Sequence, residues 1–311
     1  MCCLPTGLSS RVFQSAAVCL FSLFPMLSSA QESSPSYEAF KDIPYANEGR
    51  DLLLDLYIPN GVSEPFLMVW VHGGAWSRGS KDSVPLLGLV ESGYAMASID
   101  YRLSGEARFP AQIHDIKAAI RFLRAEASKY GYRVDRVAVG GSSAGGHLAA
   151  LVGTTNGHAE LEGQVGEHLD QSSSVQAIVD LYGPTNFATI LDQSTPHGLS
   201  VRVPALELLL GDGPDLVPDL AELASPVAHV DGSDPPLLIL HGDQDPQVPI
   251  NQSHELHGAY ERYGLKVQFE VVHGAAHGGE AFRDPTRLEL IREFLDSTLQ
   301  DGRVSDAKTA R

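Results

Sequence analysis

The sequence runs to 311 residues, long enough for one large or two ordinary domains, and its 43% hydrophobic and 20% charged residues exclude a disordered chain, a collagen or a multi-span membrane protein. Its 22 Lys and Arg stand against 39 Asp and Glu, a formal net charge of -17, which argues against a nucleic-acid partner because tracking a phosphate backbone needs a basic face. The cysteines, Cys2, Cys3 and Cys19, all lie at the very start, so disulfides, Cys-ligated zinc and thiol catalysis are excluded from the rest.

Residues 1–30 carry one charge, Arg11, followed by an apolar run from Ala16 to Leu27 and then Ser28-Ser29-Ala30. A basic start, about a dozen apolar residues and small residues before a polar stretch are expected to be a secretory signal peptide cleaved near Ala30. A retained anchor is disfavoured, since the run falls short of the ~20 residues a bilayer requires and Pro25 interrupts it. Cleavage would remove Arg11 and no acid, taking the charge from -17 to -18 on a secreted or periplasmic protein without a stable membrane span. Such a charge would disfavour strongly anionic substrates. Residues 31–36 are expected to be a linker and 300–311 a flexible tail, leaving one domain over 37–299.

Within that domain, Tyr37 to Ile43 and Leu52 to Ile58 read as an antiparallel entry. Phe66 to Val71 is a continuous apolar run, the pattern of a strand buried on both faces, and Tyr94 to Ile99 repeats it. Pro110 to about Tyr130 reads as a helix with Ile113, Ile116, Ile120 and Leu123 on one stripe and Lys117, Arg121 and Arg124 off it. Strand-like runs follow at Val137 to Val139, Val175 to Leu181, Leu237 to Leu240 and Val267 to Val272, and a last helix at Pro285 to Leu299. This alternation predicts an α/β fold, a mostly parallel central sheet flanked by helices on both faces. Residues 156–174 and 186–232 fit it poorly. The second, with Pro196, Pro204, Pro214, Pro218 and Pro226 and an apolar stretch from Leu206 to Leu210, is either a small partial cap or an ordinary connection with one core helix.

The chemistry gathers at predicted strand ends, where open α/β sheets hold their sites. Gly141-Ser142-Ser143-Ala144-Gly145 is G-x-S-x-G between a strand and a small-residue helix. That context suits a nucleophile on a strained turn, its hydroxyl at a helix N-terminus. Ser143 is therefore the candidate nucleophile. Centring on Ser142 instead would put Ala144 where the second glycine belongs. Twelve histidines could supply the base. His277 follows the last strand and precedes the last helix, keeping the order Ser…Asp…His, while His273 competes from the strand end. Of the carboxylates after Leu240, Asp245 is favoured by its D-x-x-V-P setting and Asp243 is left to shape the turn.

A tetrahedral oxyanion needs converging amide donors. His72-Gly73-Gly74-Ala75-Trp76 ends the strand from Phe66 to Val71, and amides of Gly73 and Gly74, with that of Ala144, are the candidate oxyanion hole. Ala75 can stand in for Gly73. Trp76 either lines a substrate pocket or packs beneath the loop; His72 reads as a loop brace and His147 as a packing residue.

Beyond the elbow and this loop the chain contains Leu54-Asp55-Leu56-Tyr57-Ile58-Pro59, Gly79-Ser80-Lys81, Asp100-Tyr101-Arg102-Leu103-Ser104, a stretch from Phe109 through Asp115 to Ala119, and Ser225-Pro226. Together these resemble the α/β-hydrolase esterases grouped with bifunctional feruloyl and acetyl-xylan esterases, near the hormone-sensitive-lipase-like carboxylesterases, over roughly residues 37–298. The resemblance implies a serine esterase with no metal or organic cofactor, the triad Ser143, Asp245 and His277, and a small-molecule or carbohydrate-linked ester as substrate. Where the family often has a third glycine, Ala75 stands here. Asp100, Tyr101, Arg102 and Asp115 match the family pattern as structural supports. Two readings remain beside it: an amidase, formamidase or peptidase on the same three residues, since H-G-G-x-W is also similar to kynurenine formamidases, and a non-catalytic ligand receptor on the same fold.

Overall fold

The computed structural model describes residues 36–300; the expected signal peptide, nearly all of the linker and the tail beyond Gln300 lie outside the described residues. Eight strands are formed among them: β1 (Tyr37–Asn47), β2 (Asp51–Pro59), β3 (Phe66–Val71), β4 (Ala95–Ile99), β5 (Arg133–Ser142), β6 (Ala177–Leu181), β7 (Leu237–Gly242) and β8 (Val267–Val272). They make one sheet in the order β1-β2-β4-β3-β5-β6-β7-β8. The first two strands join antiparallel, and every pairing from β4 to β8 is parallel.

The apolar runs are continuous because both faces of the sheet are covered. Successive side chains point to opposite sides. On β3, Leu67, Val69 and Val71 join a core with Ile113, Ile116 and Ile120 of the helix Ala111–Ala125, whereas Met68 and Trp70 join a second core with Ile291 and Leu295 of the helix Pro285–Leu299. Each of these side chains is fully buried or nearly so, worth about 1.5–3 kcal/mol apiece relative to exposure.

Three local differences from the sequence pattern have physical causes. The helix expected over 110–130 stops at Ala125 and resumes as one turn, Ala127–Tyr130, around the non-helical backbone of Glu126. β5 begins at Arg133, earlier than its apolar core, because its pairing with β3 shifts register between Phe66 and Leu67 and admits polar residues there. Lys117 and Arg121, off the apolar stripe, are buried all the same. The segment 156–174 folds over them: Lys117 Nζ donates to Glu162 Oε2 at 3.3 Å, and to the Thr155 carbonyl just before the segment at 2.6 Å, while Arg121 donates to Glu162 Oε1 at 2.6 Å and to the Val165 carbonyl at 2.9 Å.

The segment 186–232 forms four helices, Ile190–Gln193, Pro196–Leu210, Pro218–Leu223 and Pro226–His229. Leu206 and Leu209 sink into the first core, so the segment is anchored as well as peripheral. No helix of the described residues is long and apolar enough to cross a membrane.

Candidate active site

Four parallel strands deliver the site from their C-terminal ends. β5 runs straight into the helix Ala144–Thr154, and the joint, Ser143, has φ 54° and ψ -120°, a strained backbone for any residue with a Cβ. Its amide donates to the Leu181 carbonyl at 2.8 Å and its carbonyl receives the His147 amide at 3.0 Å, which hold the turn. The flanking glycines are a matter of space. A Cβ on Gly141 would stand 2.2 Å from the Gly145 carbonyl oxygen, and one on Gly145 would stand 2.1 Å from that of Val71.

From the loop after β8, His277 reaches back so that its Nε2 lies 2.8 Å from Ser143 Oγ. Its Nδ1 donates to Asp245 Oδ2 at 2.6 Å, which leaves Nε2 to accept the serine proton. The side chain of Asp245, on the turn after β7, is 1% exposed. Its Oδ1 accepts the amides of Gln247 (2.8 Å) and Val248 (3.0 Å), and His241 Nε2 approaches Oδ2 at 3.3 Å. Burial alone would raise this carboxyl, but the hydrogen bonds from His241, His277 and the Val248 amide outweigh it and hold the group well below the usual carboxylate range.

The competing residues form a separate pair. His273, its side chain 84% exposed, donates from Nδ1 to Asp243 Oδ2 at 2.8 Å, and Asp243 Oδ1 accepts the Gly274 amide at 2.7 Å. This pair ties the β7 and β8 turns together and makes no bond to Ser143. Ser142 ends β5 and faces the same cleft as Ser143 without a bond to either imidazole.

The loop after β3 is left-handed at three successive residues, Gly74 (φ 114°), Ala75 (52°) and Trp76 (58°). Ala75 thus occupies a conformation that favours glycine, a physical basis for the third glycine of the resembling family. Gly74 has no such latitude, because a Cβ there would meet the Arg78 carbonyl oxygen at 2.1 Å. Gly73, Gly74 and Ala75 all line the cleft beside Ser143. The Ala144 amide opens the helix, where backbone N–H groups have no partner within the helix. His72 donates from Nδ1 to the Gly73 carbonyl at 2.7 Å and stacks on Tyr101 at 4.4 Å, while Tyr101 Oη donates to the His72 carbonyl at 3.0 Å. The Asp100-Tyr101-Arg102 stretch therefore braces this loop. Asp100 also accepts the Lys81 amide at 2.7 Å, and the Arg102 guanidinium forks onto Asp115.

Trp76 is corrected from pocket wall to foundation. Its side chain is 0% exposed and is not among the residues facing the cleft. The left-handed turn drives the indole inward, edge-on to His147 and Phe187, and its Nε1 donates to His147 Nδ1 at 3.2 Å. His147 in turn donates from Nε2 to the Ala224 carbonyl at 2.7 Å. Burial pushes this imidazole down to about 4, so it stays neutral in the tautomer that both bonds require.

The cleft holds about 300 Å³. Two of its walls, Tyr182 and Arg202, and one support beneath it, His241, are absent from the sequence expectations. Tyr182, one residue past β6, sets its ring edge-on to His277 at 4.9 Å, and its strand-end position was the available signal. His241 beneath Asp245 likewise sits at a strand end. Arg202, in the helix Pro196–Leu210, had none, being one cation in a Pro- and Leu-rich stretch. Among the described residues no cluster of three or more His, Cys, Asp or Glu has the spacing to hold a metal ion.

The BD-FAE family model matches residues 54–260. The chain is 35% identical to the esterase LipC of Mycobacterium tuberculosis over 219 residues, 68% of this chain and 52% of LipC. A truncated carbohydrate esterase from gut microbiota superposes with a TM-score of 0.76 at 32% identity, covering 85% of this chain and 98% of that one. A bifunctional GH43-CE protein of Bacteroides eggerthii superposes with a TM-score of 0.76 at 34% identity, covering 83% of this chain and 35% of the larger one. The chain spans about half to three-fifths of the length of the curated relatives that it matches.

Proposed function

The chain belongs to the BD-FAE family, on the α/β-hydrolase fold, and from that premise we propose that it is a serine carboxylic-ester hydrolase acting on short-chain or aryl esters. One observation carries the proposal: the unbroken sequence from Ser143 Oγ to His277 at 2.8 Å and from His277 to Asp245 at 2.6 Å, open to a cleft.

His277 Nε2 takes the Ser143 proton as Oγ attacks the ester carbonyl, while Asp245 holds Nδ1–H and stabilises the imidazolium. The tetrahedral oxyanion is met by the Ala144 amide and by two amides of the loop, Gly73 and Gly74, with Ala75 the alternative to Gly73. The alcohol leaves with the proton on Nε2, giving an acyl-serine. Water, deprotonated by the same nitrogen, releases the acid. No metal or organic cofactor takes part in these steps.

A cleft of about 300 Å³ sits at the small end of ligand sites, which favours short acyl groups over long lipid chains. The likeness to a carbohydrate esterase supports acetyl or feruloyl esters of plant polysaccharide as the physiological class. The apolar run before Ala30 supports export, tested by the N-terminal sequence of protein recovered outside the cytoplasm.

The test is hydrolysis of p-nitrophenyl acetate, acetylated xylan and methyl ferulate by the purified chain and its Ser143→Ala variant. Turnover that disappears in the variant is expected. Turnover that survives it would overturn the assignment.

A further inference from the structure

Arg202 is 1% exposed, yet among the described residues it makes no hydrogen bond or ion pair, and its Nε and Nη1 are buried without a partner. Arg202 lines the cleft that contains Ser143 and His277, and its guanidinium carbon lies 6.0 Å from the Trp76 ring centroid, the outer limit of a cation–π contact. Arg78 adds a second guanidinium at the rim. Among the described residues no Asp or Glu lines this cleft; Asp245 lies beneath it, engaged by His241 and His277.

A buried cation without a counter-ion is costly unless something completes it. Burial lowers the Arg202 guanidinium to about 10, with Asp245 opposing and Arg78 reinforcing that shift, so it stays charged at neutral pH. Its planar fork matches a carboxylate in bidentate fashion better than it matches a single hydroxyl.

We propose that Arg202, assisted by Arg78, binds a carboxylate carried by the ester substrate, so that the cleft selects acid-bearing esters over neutral ones. The inference rests on the serine-esterase reading and names its substrate class. It reverses what the overall charge of -17 suggested, because the field inside a cleft is set by the charges lining it. The carboxylate could belong to the acyl part, as in a half-ester of a dicarboxylic acid, or to the alcohol part, as in an acid-bearing phenol or uronic acid. The chemistry at Arg202 is the same.

Two matched pairs separate these sources: mono-p-nitrophenyl glutarate against p-nitrophenyl valerate, and 4-acetoxybenzoate against 4-acetoxybenzamide. The wild type is expected to favour the acidic member of at least one pair by about tenfold or more in kcat/KM, the scale of one charge-assisted hydrogen-bonded pair. Whichever pair shows this identifies the source. Arg202→Gln should lower the acidic-to-neutral ratio by about ten- to hundredfold, Arg202→Lys should recover part of it, and salt raised from about 0.05 to 0.5 M should narrow it. A wild-type preference for both neutral members, or a ratio unchanged in Arg202→Gln, would overturn the proposal.

Should Arg202→Gln fail to fold, inhibition of the wild type decides. Glutarate and 4-hydroxybenzoate should compete with p-nitrophenyl acetate where their amides do not; equal inhibition by acids and amides would overturn it. Turnover of p-nitrophenyl acetate, lost in Ser143→Ala, keeps the two failures apart. With that turnover present, only the carboxylate inference is at stake; without it, the esterase reading falls and takes this inference with it.

Discussion

His277 Nε2 stands 2.8 Å from Ser143 Oγ across 134 residues of sequence, while His273, only four residues before His277, points to Asp243 in an exposed pair of its own. Two His–Asp pairs thus emerge from the same two turns and one of them reaches the serine. His277→Ala should lower kcat on p-nitrophenyl acetate by about 10³-fold or more, as loss of a general base does. His273→Ala should change it by less than about threefold, since it removes only an exposed, solvent-screened pair remote from the serine. Comparable losses in both variants would mean that His277 is not the base.

Much of this site was legible because each part follows a buried strand. The apolar runs ending at Val71, Leu240 and Val272 positioned the glycine loop, Asp245 and His277 before any contact was visible, and Gly141 to Gly145 marked the elbow. Trp76 was not legible. Whether an aromatic after H-G-G points into the cleft or under it depends on the left-handed φ values of Gly74, Ala75 and Trp76, which no spacing encodes. Arg202 was hidden for a different reason: a lone arginine in a helix becomes notable only when burial strips it of partners. The burial of Lys117 and Arg121 depended likewise on a segment whose own pattern was irregular.

The foundation role of Trp76 separates stability from substrate affinity. Trp76→Phe keeps an aromatic ring against Phe187 but removes the donor to His147 Nδ1, leaving a buried acceptor unpaired. A loss of about 1–3 kcal/mol in unfolding free energy is expected, measured by urea denaturation, with KM for p-nitrophenyl acetate little changed. A raised KM with unaltered stability would restore Trp76 to the pocket wall.

The elbow glycines predict a steric cost. Gly145→Ala would set a Cβ 2.1 Å from the Val71 carbonyl oxygen and 2.6 Å from that of His72, both backbone atoms that move only if β3 and the loop after it move. A destabilisation of about 3 kcal/mol is expected, of the order of overpacking in a rigid core, together with lost turnover because the displaced loop carries the proposed oxyanion donors. A variant with wild-type Tm and kcat would show that the elbow yields where the geometry says it cannot.

Asp180, fully buried on β6, gives a pH dependence whose sign is fixed. Burial pushes its carboxyl up to about 6, against the opposing Gly183 amide at 2.8 Å on Oδ1 and the influence of His241, while Oδ2 has no partner among the described residues. A carboxyl raised in the folded state binds its proton more tightly there than in the unfolded chain. Its contribution is therefore fully present below the unfolded value of 3.8 and is lost as pH rises through about 6. Above that, the wild type carries a penalty of up to ~3 kcal/mol. Asp180→Asn cannot ionise and keeps an acceptor for the Gly183 amide. Its unfolding free energy relative to the wild type should accordingly improve by about that amount between pH 4 and pH 7.5, followed by denaturant titrations across the range. Parallel pH profiles for the two proteins would show that Asp180 ionises as freely in the fold as outside it.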